Sequence, residues 1–199
     1  MKKIIFLITI FVLVSQIMHA QIIGGNMIKK TKGANSFTPI YSLTAARATI
    51  ITGTDNKEFP SEVTFWLIEK GRGILYNQPG ANMRNEMKVN SSTEFGLIKW
   101  AGKNPGSFLL TDIQSTGLIF RVLYMPNLFT DAWRVEGISV TLEFRDQNNN
   151  LHPTLGTKTI VFNNTSGFLN TWEQFFECRA DGNFTPITSS ILQDASGFN

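Results

Sequence analysis

Apolar and polar residues alternate in short stretches from Tyr41 onward, and turn-forming residues interrupt these stretches about every 8 to 15 positions. The alternation is clearest in residues 135–145 and 62–68, where apolar side chains occupy every second position. A period of two predicts a β-strand with one buried face and one solvated face. Many short strands at this spacing are typical of antiparallel sandwiches and barrels.

Shorter apolar runs predict further strands, which bring the total to about eight or nine. They are residues 47–52, 74–76, 83–89, 94–100, 107–111, 118–125 and 158–162. Residues 172–179 predict a helix instead, with strand as the close alternative, because Thr171 can cap it and Gln174 follows as in a capping box. The pattern therefore predicts an all-β fold, a two-layer antiparallel β-sandwich of about eight strands with one short helix near the C-terminus.

The first 20 residues have the pattern of a secretory signal peptide. Lys2 and Lys3 precede an apolar run at residues 4–14, and a short polar stretch then ends in the small residue Ala20. This run is shorter than the roughly 20 residues that span a bilayer, so cleavage after Ala20 is favoured over an uncleaved membrane anchor. We expect the protein to be exported and to be secreted, periplasmic or bound at the cell surface.

The mature chain is expected to have three parts. Residues 21–40 are polar and rich in Gly, Asn and Lys, and they predict a flexible N-terminal lead. Residues 41–192 hold the predicted strands and form one β-sandwich domain, and residues 193–199 predict a frayed tail. No second long apolar segment follows the leader, so no transmembrane span is expected in the mature chain.

Charge and cysteine content narrow the function classes. The chain has 18 basic and 15 acidic residues, and the leader takes Lys2 and Lys3 with it, so the mature protein is nearly neutral. A nucleic-acid partner is therefore not expected. The one cysteine, Cys178, allows no disulfide within the chain and predicts a small buried side chain, with a partner disulfide or a reactive thiol as the alternatives.

The chain offers few residues for catalysis. Of its two histidines, His19 lies in the leader and His152 stands in a polar turn beside Pro153. A Ser-His-Asp or Cys-His enzyme would have to use His152, and a turn histidine is more often idle. A glycosidase needs only two carboxylates at a set separation, and the 15 acidic residues leave such a pair open.

Two sets of loop residues are candidates for binding. Asp55 and Asp131 lie in predicted loops, where clustered carboxylates can bind calcium, although solvated turn residues are the alternative. Trp100, Phe129 and Trp133 lie near turns. Exposed aromatic rings at such positions stack on sugars or enter lipid interfaces, and core packing is the alternative for each of them.

Four stretches carry a resemblance to a known family: ATIITGTDNKEFPSEVTFWLIEKG, NEMKVNSSTEFGL, DAWRVEGISVTLEF and QFFECRADGNFTPI. In their order they resemble the PLAT (lipoxygenase homology) β-sandwich family. The Trp expected soon after Cys178 is absent, and a long Asn-rich hairpin separates the strand after Trp133 from Cys178. The resemblance implies a non-catalytic module that positions partners at lipid or protein surfaces, sometimes with calcium at loops that match Asp55 and Asp131.

Two classes of function follow from the sequence. The first is a secreted, non-catalytic β-sandwich module that recognises a membrane surface, a glycan or a protein partner through its loops. The second is an enzyme that works with carboxylates alone, such as a glycan hydrolase or lyase. A structural surface or assembly subunit is a third class, which an exposed strand edge or a large apolar patch would indicate.

Overall fold

The computed structural model describes residues 38–79, 83–128, 131–164, 167–170 and 174–192. The predicted signal peptide, residues 21–37 of the predicted lead and the predicted tail at 193–199 lie outside the described residues. The described part belongs to the compact unit that begins at Pro39, apart from Thr38.

Nine strands and one short helix build this unit within the described residues. The strands are β1 (Tyr41–Thr52), β2 (Glu62–Glu69), β3 (Gly73–Asn77), β4 (Ser92–Lys99), β5 (Leu118–Met125), β6 (Val135–Asp146), β7 (Thr157–Asn163), β8 (Gln174–Ala180) and β9 (Pro186–Leu192). The helix α1 (Leu110–Thr116) lies between β4 and β5. The predicted all-β antiparallel fold is confirmed.

The strands form one nearly closed antiparallel sheet, as in a sandwich or barrel, in the order β7-β6-β1-β4-β3-β2-β5-β8-β9. β3 and β4 share only the residue pairs Tyr76 with Lys99 and Asn77 with Ile98, so the sheet turns there from one layer to the other. Across the core, the Tyr76 hydroxyl donates a hydrogen bond to the Leu43 carbonyl of β1 at 3.2 Å.

Alternation along the strands builds the core. In β2 the positions Val63, Phe65, Leu67 and Glu69 are buried, and the residues between them are half-buried. β6 shows the same alternation from Ile138 to Phe144. The period of two that the sequence shows in both segments therefore points one set of side chains into the space between the layers, where burial of apolar area stabilises the fold.

The two edge strands of the sheet, β7 and β9, lie close to each other. The Ser189 hydroxyl of β9 donates a hydrogen bond to the Asn163 carbonyl of β7. Because each edge faces the other, the fold leaves less unpaired backbone open to other chains than a flat sheet of nine strands would.

The predicted helix at residues 172–179 is wrong from Gln174 onward, where the chain forms β8, while residues 171–173 lie outside the described residues. β8 pairs with β5 on one side and β9 on the other. Five successive residues, Gln174 to Cys178, are buried, so both faces of this strand are shielded. A strand that is buried on both faces loses its period of two, and a short apolar run of this kind cannot be told from a helix by pattern.

Three other segments differ from their predictions. The predicted strand at residues 107–111 is wrong, since α1 begins at Leu110, and Gly117, with a φ of 82° that suits glycine, follows the last helical residue. The predicted strand at 83–89 is reduced to single bridges at Met83 and Met87. β9 was not predicted, because its sequence PITSSIL starts with proline and has few apolar residues.

Among the described residues, no helix is long and apolar enough to cross a bilayer.

Replacing Ile138 with Asp is expected to unfold the domain. The Ile138 side chain is fully buried, and an unpaired carboxylate there costs several kcal/mol, about the whole stability of a typical domain. Ser139→Asp is the matched control, because Ser139 is next to Ile138 in the chain and its half-buried side chain faces away from the core. Thermal melts of both variants check this, and an unchanged melting temperature for Ile138→Asp would contradict the assignment of the inward face.

Candidate binding site

Four long loops meet at one end of the sheet. Strands β1, β3, β5 and β7 run toward this end, and β2, β4, β6 and β8 begin there, because the sheet is antiparallel. The loops comprise the described residues within the ranges 53–61, 78–91, 126–134 and 164–173. We call their described residues the loop platform.

Backbone hydrogen bonds join the loops of the platform to one another. The Lys57 amide donates to the Met87 carbonyl at 3.1 Å, and the Met87 amide returns a bond of 3.0 Å to Lys57. The Gly53 amide donates to the Arg134 carbonyl at 2.7 Å. Trp133 and Leu169 exchange bonds of 2.8 and 2.9 Å. Each loop is thus held by another loop as well as by its own strands, which limits its freedom to move.

A buried carboxylate connects two of these loops. Asp131 is 7% exposed, and it accepts hydrogen bonds from the Ser61 hydroxyl and, at 2.7 Å, from the Tyr124 hydroxyl. Ser61 Oγ in turn accepts a bond of 2.9 Å from the Asn127 amide. Burial raises the pKa of the Tyr124 hydroxyl, and its hydrogen bond to Asp131 raises that pKa further. The hydroxyl therefore stays protonated and remains a donor to Asp131.

A buried lysine fixes the turn that precedes β2. Lys57 is fully buried, and its Nζ donates to the carbonyls of Ser61 at 2.6 Å and Glu58 at 3.3 Å. Burial lowers the pKa of Lys57 to about 8, although the nearby charge of Asp131 acts in the opposite direction. At neutral pH the lysine is thus mostly charged, and the carbonyls that it binds replace part of its lost hydration.

Each loop of the platform presents one large apolar side chain to solvent. Phe59 is 69% exposed, Val89 46%, Leu128 62% and Phe168 43%. Phe59 and Phe168 are the exposed phenylalanines of the described part of the chain. Since the backbone beneath them is held by hydrogen bonds, these side chains are presented at low entropic cost to a partner.

The structure places three of the predicted site residues, Trp133, Asp55 and Asp131, in loops at this end of the sheet. Trp133 is fully buried, its ring packs on that of Tyr124, and its Nε1 donates to the Thr52 hydroxyl at 3.3 Å. Trp133 is therefore a core residue beneath the platform and has no face for stacking at the surface. Phe129 lies outside the described residues. Trp100 is half-buried and lies after β4, at the opposite end of the sheet.

The two predicted calcium ligands both belong to the platform. Asp55 is half-buried, and its backbone carbonyl accepts a bond of 3.1 Å from the Arg134 amide. The Asp131 carboxylate binds the hydroxyls of Ser61 and Tyr124. In the described part of the chain, no three His, Cys, Asp or Glu side chains cluster as a metal site would require. Calcium binding by Asp55 and Asp131 stays a prediction.

His152 and Cys178 are the residues that a nucleophilic enzyme would use, and the contacts of both favour a structural role. His152 Nδ1 accepts bonds from the amides of Thr154 at 3.2 Å and Leu155 at 3.0 Å, so it holds its own turn. Cys178 is buried, and burial raises the pKa of its thiol, which disfavours the reactive thiolate. Three cavities that described residues line contain one carboxylate each, from Glu69, Glu143 and Glu62 in turn.

No protein-family model matches this chain, and no curated protein matches it significantly. The resemblance to the PLAT family therefore stays a prediction.

Sequence reasoning missed Lys57, Ser61 and Tyr124 as parts of one cluster. Lys57 lies in the polar segment TDNKEF, which reads as a solvated turn. Lysine is rarely buried, so the pattern gives no reason to place it inside. Only the pairing of Lys57 with Met87, which lies in the loop between β3 and β4, shows that another loop covers this segment.

The buried lysine predicts a specific dependence of stability on pH. Because the pKa of Lys57 is about 8 in the folded chain and 10.5 in an unfolded chain, the unfolded state holds more protons between these pH values. The unfolding free energy should therefore rise through this window relative to that of Lys57→Met, by roughly 3 kcal/mol in all, since each pH unit contributes about 1.4 kcal/mol.

Chemical denaturation of both proteins at pH 7, 8, 9 and 10 measures this difference, in which other titrating groups cancel. Lys88→Met is the matched control, since Lys88 belongs to the same platform and is exposed. Its stability should follow the wild-type pH profile. Parallel profiles for wild type and Lys57→Met would refute the burial of this amine.

Proposed function

We propose that this chain is a secreted, non-catalytic β-sandwich module that recognises a partner through the loop platform. One observation carries the proposal, namely that four loops joined by hydrogen bonds each expose one large apolar side chain. Binding residues commonly lie on loops that a rigid scaffold positions. Exposed apolar side chains that gather at one end of a fold favour a contact with a macromolecular surface.

The charges of the platform favour a protein surface over an anionic membrane. Glu58 and Glu86 are exposed there, together with Arg84 and Lys88, and Arg134 is half-buried with its guanidinium over the Phe168 ring. Arg84 is already paired with Glu62. Lys88 and Arg134 are balanced by Glu58 and Glu86, so the platform has no concentrated positive charge for anionic lipid headgroups. A mixed rim around aromatic and aliphatic side chains is the composition of many protein–protein interfaces. Membrane and glycan partners remain the alternatives that the test includes.

The enzyme class has less support. A glycan hydrolase or lyase needs two carboxylates that face one groove, and each of the three cavities named above is lined by one. The assembly-subunit class also has less support, because the edge strands β7 and β9 face each other.

The test places a photo-crosslinking amino acid at position 59 in the cells that export the protein. Phe59 is replaced by p-benzoylphenylalanine, and the matched control carries the same residue in place of Ile187, which is 60% exposed at the start of β9. We expect one discrete protein adduct from position 59 and none from position 187. Phe59→Ser combined with Leu128→Ser should lower affinity for the captured partner at least tenfold, as loss of two interface anchors does.

Two further assays separate the alternative partners. Flotation with phosphatidylcholine vesicles, with and without phosphatidylserine, tests a membrane, and a glycan array tests a glycan. Binding in either assay that Phe59→Ser abolishes would replace the protein partner with that surface. If position 59 forms no adduct and neither assay detects binding, the platform is not a recognition site and the proposal fails.

A further inference from the structure

A cavity of about 310 Å³ lies at the opposite end of the sheet from the loop platform. The turn between β2 and β3, the outer face of β5 and the loop at residues 100–106 line it. Its volume falls at the lower end of the roughly 300–1,000 Å³ typical of small-ligand sites.

The wall of this cavity is held in place by close backbone packing. A Cβ on Gly73 would collide with the Asn104 carbonyl oxygen, so the two backbones approach as only glycine allows. The Gly106 amide donates to the Ile74 carbonyl at 3.0 Å. The loop at residues 100–106 is therefore fixed against β3, and the cavity does not depend on a ligand to form it.

Trp100 contributes to this wall from outside the cavity. Its Nε1 donates a hydrogen bond of 3.1 Å to the Lys103 carbonyl, and a Cβ on Gly102 would collide with its ring. The tryptophan that the sequence marks as a binding candidate thus shapes the turn that carries Lys103 and Asn104, both of which line the cavity.

Positive charge dominates the polar lining. Arg72, Lys103 and Arg121 line the cavity with a single carboxylate, Glu69. Glu69 is fully buried, accepts a hydrogen bond from the Ser107 amide at 2.5 Å and forms an ion pair with the Arg72 guanidinium at 3.4 Å. Its negative charge is therefore largely matched within the protein, and it repels an incoming anion less than an unpaired carboxylate would.

The three cations differ in how strongly the protein already uses them. Arg121 binds Glu177, with 2.9 Å between Nε and the carboxylate, and Arg72 binds Asp112 at 2.8 Å. No described carboxylate lies within ion-pair distance of the Lys103 ammonium. Lys103 is therefore the cation with the least competition for a new anionic partner, and the two arginines add to the field.

The apolar lining decides what kind of anion fits. Ile68, Ile74 and Ile119 contribute branched aliphatic side chains, and no aromatic ring lines the cavity among the described residues. Sugars bind by stacking on aromatic faces and by many hydrogen bonds, so an acidic sugar is a poor match. A carboxylate on an aliphatic body matches both parts of the lining.

We propose that this cavity binds a small aliphatic carboxylate, with the carboxylate at Lys103 and the apolar body against Ile68, Ile74 and Ile119. This site is separate from the loop platform and does not depend on the function proposed for it.

The test compares three probes of six carbons each that carry a negative, a neutral or a positive head group: hexanoate, hexanol and hexylammonium. Each is titrated into the ¹⁵N-labelled exported protein, and amide chemical shifts are followed by NMR. Hexanoate should give saturable shifts at the residues that line the cavity, among them Ile68, Ile74, Lys103 and Ile119, and none at the loop platform. Hexanol should bind at least fivefold more weakly, and hexylammonium should not bind.

The variant Lys103→Gln tests the assigned cation without disturbing an ion pair of the fold. It should weaken hexanoate binding at least threefold and leave the weaker hexanol binding unchanged. Lys88→Gln, an exposed lysine of the platform, is the matched control and should bind hexanoate as the wild type does.

Three results would overturn the proposal. These are no saturable shift with hexanoate, shifts confined to residues that do not line the cavity, and equal affinities of Lys103→Gln and Lys88→Gln for hexanoate. A failure of the crosslinking test at position 59 would leave this site untouched, so the two proposals fail separately.

Discussion

The buried carboxylate of Asp131 is the interaction on which the architecture of the loop end depends. It accepts bonds from Ser61, in the loop before β2, and from Tyr124, near the end of β5. A buried charge without partners would cost several kcal/mol, so the donors and the carboxylate fix one another's positions. Because the Lys57 ammonium also donates a hydrogen bond to the carbonyl of Ser61, the turn and the carboxylate form one buried cluster. Removing a member leaves the others unsatisfied, so the cluster behaves as a unit.

The sheet stabilises the fold, and the loops form the surfaces at its two ends. Nine antiparallel strands bury alternate side chains and bring their two edges together, so stability resides in the sheet. The loops of the platform then gain order from hydrogen bonds between themselves, such as those between Lys57 and Met87. At the opposite end, the loop at residues 100–106 is held against β3 by the close approach of Gly73 to Asn104 and by the hydrogen bond from the Gly106 amide to Ile74. One sheet thus carries two surfaces of different chemistry. The loop platform is apolar with mixed charge, and the cavity at the opposite end is cationic with aliphatic side chains in its lining.

The sequence predicts the strands with a solvated face and fails where burial depends on distant partners. β2 and β6 follow from their period of two, because one face of each is shielded and the other is not. β8 is buried at five successive positions by neighbours that no local pattern shows. Lys57 is missed for the same reason, since only a partner loop encloses it. The sequence places Asp131 and Trp133 in the right loop but does not show that both side chains are buried, because no local pattern tells which loop residues point inward.

Hydrogen–deuterium exchange of the wild type and of Asp131→Ala tests most directly whether this carboxylate makes the platform rigid. In the wild type, the amides of Lys57, Met87 and Trp133 should exchange slowly, since each donates to another loop. In Asp131→Ala they should exchange at least tenfold faster, while amides at the centre of β6 keep their protection and show that the sheet is intact. Fast exchange of these three amides in the wild type, or unchanged exchange in the variant, would contradict the account.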